Sequence, residues 1–350
     1  MFTEDKKPKV SFIIPAYNAE AYIESTIRSI LSQDYGNIEL VVADDGSKDS
    51  TAEIISRISR EDGRLRLLQC ENGGPACARN LALDSLDGSS KYIMFCDADD
   101  LLNPGMVTAL VKEAEESEAD FVACGFSIVS PDGSLHDYFE PDQRLDSDSI
   151  GPLLGRLYKA NLLNQVWGKL FRSEVIFMES IRFPDYRWGE DRFFVFDYLN
   201  HSRRFSILSF IGYRYIMRGE GSLISSFLKN KADICVLIDE RMEELCRKFG
   251  VEDDGAFRYM FAKSIFSCMA NLFSPSCSLS PKEKREYVKS IVRSKRVLSR
   301  CSGAKGSLPM TALCALMKTG NVTLNLFAAR LSFLASRLFP EAFRKMKHKK

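Results

Sequence analysis

Histidine is scarce in this chain, with three residues in 350, and none stands near a cysteine at metal-ligand spacing. No C-x-x-C pair occurs either, so a zinc site is excluded. The ten cysteines (70, 77, 96, 124, 235, 246, 268, 277, 301 and 314) are dispersed, several inside apolar runs such as YIMFC and FVACGF. They read as buried free thiols of a reducing cytosol, not as a disulfide framework. The first apolar run, IIPAYNAE, carries no G-x-G-x-x-G, and no G-x-x-x-x-G-K-[ST] occurs anywhere. Dinucleotide-binding and P-loop designs are therefore disfavoured. The opening MFTEDKKPKV has no apolar h-region, which argues against a secretory signal. Toward the C-terminus Lys318, Arg330 and Arg337 interrupt the longest apolar stretch, which argues against a membrane-spanning helix. With only 21 glycines and 12 prolines, collagen-like and low-complexity classes fall away.

What is present is ordinary globular material, 45% hydrophobic and 27% charged, in a chain long enough for two domains. The net charge of +1 hides a strong polarity. From position 281 onward 17 lysines and arginines face three acids, a local +14 that leaves −13 for the preceding 280 residues. A basic segment of that kind suits an anionic partner such as a membrane surface. The acidic body has its own carboxylates to manage.

Between about positions 9 and 129, short apolar runs alternate with helical patterns, the signature of a mostly parallel sheet with crossover helices. The runs are VSFIIP, IELVVA, RLRLLQ, KYIMFC and DFVACGF. Ile23, Ile27, Ile30 and Leu31 recur at helical spacing, as do Ile54, Ile55 and Ile58. Ser50 and Glu53 have capping-box spacing, and Pro75 and Pro104 occupy expected first-turn positions. After Ser130 comes SPDGS and an acidic, serine-rich stretch read as loop to about Ile150, followed by a helix, the segment NQVWGKLFR and a helix over 188–200. Positions 205–217 read as one or two strands. Beyond Leu228 only helical patterns remain. The domain expectation is 1–227, with halves at about 9–129 and 130–227, then a helical region 228–350.

ADDGS ends the second expected strand and DADD the fourth. In an open parallel sheet, ligands bind beyond the carboxyl ends of the strands, so both clusters would face one crevice. Converging carboxylates repel one another, and a divalent cation relieves them. Oxygen donors without His or Cys select Mg²⁺ or Mn²⁺.

PAYNAEAYIESTIRSILSQ, ELVVADDGSKDST, ENGGPACARNLAL and YIMFCDADDLLNP, in that order, resemble family 2 glycosyltransferases of the GT-A fold. NQVWGKLFRSEVI, WGEDRFFVFDYL and YRYIMRGEGSLI resemble its capsule and cell-wall polysaccharide branch. The resemblance spans positions 10 to about 224. It implies an inverting, metal-dependent transfer from a nucleotide sugar, most often a UDP-sugar, to a saccharide or lipid-linked saccharide, with no nucleic acid partner. It implies a cytoplasmic setting, on the inner face of the plasma membrane. Pro15, Tyr17, Asn18 and Asp45 match nucleotide-contacting positions, and Arg79 and Asn80 lie near the donor. Asp97 and Asp99 match the D-x-D pair, Asp99 as direct metal ligand and Asp97 nearer the ribose and diphosphate. Asp191 matches the catalytic base, with Glu190 as the competing assignment, and Arg218 is a candidate for the diphosphate or acceptor.

The chemistry agrees with those roles. Charge builds on the leaving diphosphate, a cation offsets it, and one carboxylate takes the acceptor's proton. One base without an enzyme nucleophile gives inversion. Glu190 and Asp191 point in different directions on a helix, so only one is expected to face the crevice. A sugar nucleotidyltransferase is the alternative enzyme, and it normally carries a Gly-rich, Arg-containing loop where this chain has IIPAYNAE; a non-catalytic scaffold of the same fold is the other alternative. Trp167 and Trp188 suit either an acceptor groove or the core, and Lys169 either a phosphate or a snorkelling helix position. His136 and His201 read as surface, and His348 belongs to a basic tail of disordered character. Leu324, Phe327, Leu331, Leu334 and Leu338 form an apolar stripe flanked by Arg330, Arg337 and Arg344, which fits either an interfacial helix or one docked on the acidic body.

Overall fold

Val10–Ala16 is apolar and buried along almost its whole length, as a strand covered on both faces of a parallel sheet must be. The computed structural model, which describes residues 7–218, 227–251, 255–302, 304 and 308–338, makes this segment β1, with a parallel neighbour on each side. The other strands are β2 (Ile38–Asp44), β3 (Leu65–Gln69), β4 (Tyr92–Phe95), β5 (Leu101–Leu102), β6 (Phe121–Val129), β7 (Leu135–Tyr138), β8 (Gln143–Asp146), β9 (Lys169–Arg172) and β10 (Arg204–Ile216). They form one sheet in the order β3-β2-β1-β4-β9-β6-β10-β5, with β7 on β6 and β8 on β10. The expected mostly parallel character holds for the long strands, and the short β5, β7, β8 and β9 run against them. Two of these, β7 and β8, occupy the stretch read as loop. Their side chains are largely exposed, so no apolar alternation marks them.

Helices α1 (Ile23–Leu31), α2 (Thr51–Glu61), α3 (Pro75–Asp84), α4 (Met106–Ser117), α5 (Gly151–Lys159), α6 (Ser173–Met178) and α7 (Glu190–His201) accompany the sheet. Pro75 opens α3 as expected, whereas Pro104 stands two residues before α4, whose N-cap is Gly105. The Ser50–Glu53 capping box does not form. Ser50 makes no side-chain cap, and its backbone N–H donates instead to Glu20 Oε2 at 2.9 Å. A complete capping box does occur at Ser280 and Glu283.

The chain divides into two compact units, one of residues 1–219 and 244–251, the other of 220–243 and 252–350. The second holds most of α8 (Lys231–Lys248), then α9 (Gly255–Ala270), α10 (Pro281–Val292), α11 (Lys295–Ser302), α12 (Leu308–Lys318) and α13 (Val322–Leu338). Within it Asp239 of α8 and Arg300 of α11 are both buried and pair at 2.7 Å, each charge compensating the other. All ten cysteines are free thiols; seven are buried, but Cys77 is exposed, against expectation.

One irregularity positions the site. Between Leu208 and Arg214 β10 takes six steps where β6 takes three, from Cys124 to Ser127. Such bulges re-aim side chains at sheet ends. The extra backbone fits because Gly212 has no Cβ, since one placed there would sit 2.7 Å from Cys124 Sγ and 2.8 Å from Met106 Cγ. Gly212→Ala should therefore lower stability by about 1–3 kcal/mol through overpacking, read as a reduced urea midpoint at unchanged m-value. An unchanged midpoint would show that Cys124 and Met106 give way freely.

Candidate active site

The chain runs from β1 outward to β2 and β3, then returns to place β4 on the other side of β1. Strand order reverses at β1, and the crevice beyond its carboxyl end is where such sheets bind ligands. The loops after β1, β2 and β4 border it. Pro15 lies near the end of β1, and Tyr17 beyond it is about half exposed. Asn18 adopts φ +47°, donates its N–H to Ser47 Oγ and accepts from the Lys48 N–H on Oδ1, both at 2.9 Å, which ties the first loop to the second. Asp45 is buried and its two carboxylate oxygens accept from the Gly73 and Gly74 N–H groups at 2.7 and 2.8 Å. This side chain holds the β3–α3 loop against β2.

Arg79, on α3, is the hub of the crevice. Its side chain is 4% exposed, and its guanidinium reaches Asp97 Oδ1 at 2.8 Å, Asp191 Oδ1 at 2.9 Å and Glu190 Oε1 at 3.2 Å. Expectation and structure part here: both acids of the α7 first turn converge on one guanidinium nitrogen, and neither turns away. Burial opposes the charge on Arg79, but Asp191, Asp97 and Glu190 outweigh it and raise its pKa, so it stays protonated. Burial pushes the Asp191 carboxyl up to about 7, helped by Glu190 and Asp97 and opposed by Arg79 and a hydrogen bond from the Val166 backbone. A carboxylate poised near neutrality is suited to moving a proton.

The β4 loop is held from beneath by β10. Tyr213, delivered there by the bulge, donates from its hydroxyl to Asp100 Oδ2 at 2.8 Å and accepts from the Asp97 N–H at 3.2 Å. Burial and the Asp100 charge keep the phenol protonated. Asp100 also accepts from the Ile216 N–H at 2.8 Å, while burial and Asp97 push its own pKa well up. On the open side, Arg218 pairs with Asp99 at 3.2 Å and stacks on the Tyr22 ring. Burial, then the Asp97 charge, raises the Asp99 pKa against the pull of Arg218. Nothing in the sequence singles out Tyr213 or Tyr22, and the one signal for Asp100 is its place as the third acid of DADD.

Several other expectations are resolved. Asn80 spends its amide on the Phe183 backbone, donating to the carbonyl at 2.8 Å and accepting from the N–H at 2.9 Å. Trp167 is buried and stacks on Tyr213 with centroids 4.4 Å apart, so it belongs to the core. Trp188 lies under the Arg192 guanidinium at 4.8 Å. Lys169 sits neither on a helix nor at the surface: it is buried on β9, donates to the Trp167 carbonyl at 3.1 Å, and burial lowers its pKa to about 7. His136 is exposed, His201 lies on Glu179 at 2.9 Å, and His348 falls outside the described residues.

Among the described residues no three His, Cys, Asp or Glu side chains are grouped to hold a metal ion by themselves. Asp97 and Asp99 supply two hard oxygen donors, and after burial it is the Asp97 charge that raises the Asp99 pKa, a repulsion a cation would relieve. That set fits Mg²⁺ or Mn²⁺, which commonly takes one or two carboxylates and completes its shell with substrate phosphates and water.

The model of Glycosyl transferase family 2 matches residues 11–167. The chain is 30% identical over 229 residues to an uncharacterised glycosyltransferase of Haemophilus influenzae, covering 64% of this chain and 84% of the relative. It is 32% identical over 204 residues to the uncharacterised glycosyltransferase EpsJ of Bacillus subtilis, over 57% of this chain and only 59% of EpsJ. In fold it is similar to Staphylococcus aureus TarS 1–349, solved in complex with UDP-GlcNAc, at 20% identity and TM-score 0.63, over 94% of this chain and 92% of that one.

Arg79→Met would leave three carboxylates facing one another around an apolar side chain. Breaking such a buried arrangement costs about 3–5 kcal/mol. Protonation relieves the repulsion, so the loss should be smaller at pH 5 and larger at pH 8. Urea midpoints of variant and parent at the two pH values check this; a loss independent of pH would mean that Arg79 acts by packing alone.

Proposed function

The chain belongs to glycosyltransferase family 2, and from that premise we propose an inverting, metal-dependent enzyme that moves a sugar from a nucleoside diphosphate sugar to a hydroxyl of a surface polysaccharide or lipid-linked oligosaccharide. One observation carries the reading: Asp97, Glu190 and Asp191 meet on Arg79 at the crevice where strand order reverses. UDP-GlcNAc in TarS supports a UDP-sugar as donor. The reading takes in the cytoplasmic side of an anionic membrane, where a lipid-borne acceptor would lie.

Pro15, Tyr17 and Asn18 border the nucleotide, and Asp45 shapes that wall by fixing the Gly73–Gly74 loop. Mg²⁺ or Mn²⁺ held by Asp97 and Asp99 would offset charge on the leaving diphosphate. Arg218, resting on Asp99 and Tyr22, stands where its guanidinium can take a phosphate oxygen. Asp191 accepts the acceptor's proton. Arg79 and the Val166 N–H keep it oriented, and its pKa near 7 leaves it ionised in part at neutral pH yet basic enough to hold the proton. Glu190 shares the guanidinium and sets the field around Asp191. With Asp191 acting as base and the acceptor hydroxyl attacking directly, displacement is single and configuration inverts.

Asp191→Asn should reduce turnover roughly 100-fold or more while donor affinity stays near the parent value. A larger loss in Glu190→Gln would move the base to Glu190. Because Asp191 must be ionised to act, kcat/KM should fall as pH drops through about 7; a profile flat down to pH 5 would contradict the assignment. Asp99→Ala, or excess EDTA on the parent, should abolish release of nucleoside diphosphate from a UDP-sugar. Full activity under EDTA would remove the metal from the reading, and pyrophosphate exchange in place of that release would favour a nucleotidyltransferase.

A further inference from the structure

Helix α13 packs with its less apolar side inward. Asn325 and Ala329 are fully buried, whereas Leu324, Phe327, Leu331, Leu334 and Leu338 are 49, 62, 50, 42 and 70% exposed. A surface helix of a globular protein ordinarily does the reverse. The orientation is held by hydrogen bonds, since Asn325 Nδ2 donates to the carbonyls of Leu316 at 3.0 Å and Asn321 at 2.9 Å. The five outward side chains are spaced 3, 4, 3 and 4 residues apart, a continuous ridge ~21 Å long at 1.5 Å per residue. Of the twelve large apolar side chains exposed among the described residues, these are five.

Charge says what covers the ridge. The helix carries no acid, and Arg330 and Arg337 stand exposed on it. Among the described residues neither Arg330 nor Arg337 forms an ion pair, and the Arg337 guanidinium lies 5.8 Å from the Phe333 ring. The sequence beyond it, outside the described residues, adds Arg344, Lys345, Lys347, Lys349 and Lys350 against Glu341 alone. A second copy of the chain would bring the same +14 segment against its like. An anionic lipid surface accepts both features at once: leucine and phenylalanine enter the boundary between headgroups and acyl chains, and the arginines remain at the phosphates. No helix among the described residues is long and apolar enough to cross a membrane, so the ridge would lie along the surface.

We propose that the outward face of α13 is the surface by which this protein adsorbs to anionic membranes. Its biological use rests on the transferase reading above, but the adsorption itself does not.

The test uses the full chain and vesicles of phosphatidylcholine with or without phosphatidylglycerol, alongside a Phe327→Ser, Leu331→Asp variant. The parent should sediment with the anionic vesicles at low salt and at least about tenfold less with neutral vesicles or at high salt. The double variant should remain in the supernatant while its unfolding midpoint and donor turnover match the parent, because both positions are exposed. Equal sedimentation of variant and parent overturns the proposal. So does failure of the parent to bind, or a parent dimer in sedimentation velocity that the variant does not form. A chain that binds vesicles yet turns over no donor would refute the transferase reading and leave this one standing.

Discussion

A single guanidinium joins the parts of the first unit that chemistry requires together. Arg79 comes from α3, Asp97 follows β4 18 residues later, and Glu190 and Asp191 open α7 at 111 and 112 residues from Arg79. Arginine suits the position because its planar fork stays charged when buried and addresses partners from two edges at once. The dependence runs both ways. A buried cation needs counter-charges, and three carboxylates cannot be gathered without a cation, so the α7 first turn and the β4 loop stand in register only while Arg79 is between them. Burial, reinforced by the neighbouring carboxylates, explains why Asp99 and Asp191 hold their protons more tightly than exposed acids do.

The backbone supports that arrangement from two sides. Above, the Asn18–Ser47–Lys48 bonds and the Asp45–Gly73–Gly74 bonds tie the loops after β1, β2 and β3 into one wall. Below, Tyr213 carries the β4 loop on its hydroxyl, with Trp167 stacked against its ring. Rigid support on both sides leaves Arg218 as the cation whose partner, Asp99, lies at the open face.

Much of this could be read from residue order. The five strands of the first half announce themselves as apolar runs whose ends lie within a residue or two of the strand ends, save β6, which runs three residues past the expected Phe126 to Val129. The acids at the ends of β2 and β4 follow from the same runs. What could not be read depends on partners distant in sequence. β7 and β8 carry polar, exposed residues and exist only because β6 and β10 offer them edges. Ser50 has capping-box spacing, but Glu20 takes its N–H first. The outward turn of Glu190 or Asp191 was inferred from helix geometry alone, which says nothing of a guanidinium long enough to reach both. Lys169 suits a phosphate contact or a snorkelling helix position in sequence, because its burial depends on the strand pairing of β9 between β4 and β6. The apolar ridge of α13 was visible as a pattern, but its outward direction is set by an asparagine.

The surplus of three residues in β10 has a consequence for which changes the fold can absorb. An odd surplus exchanges the two faces of a strand, so everything after Arg214 is half a period out of step with everything before Leu208. The segment between works as a phase shifter. Substitutions within it alter packing by degrees, whereas adding or deleting a single residue would restore the original phase and swing Tyr213 to the opposite face, away from Asp100. The length of this short stretch, more than its composition, is what ties the far edge of the sheet to the β4 loop.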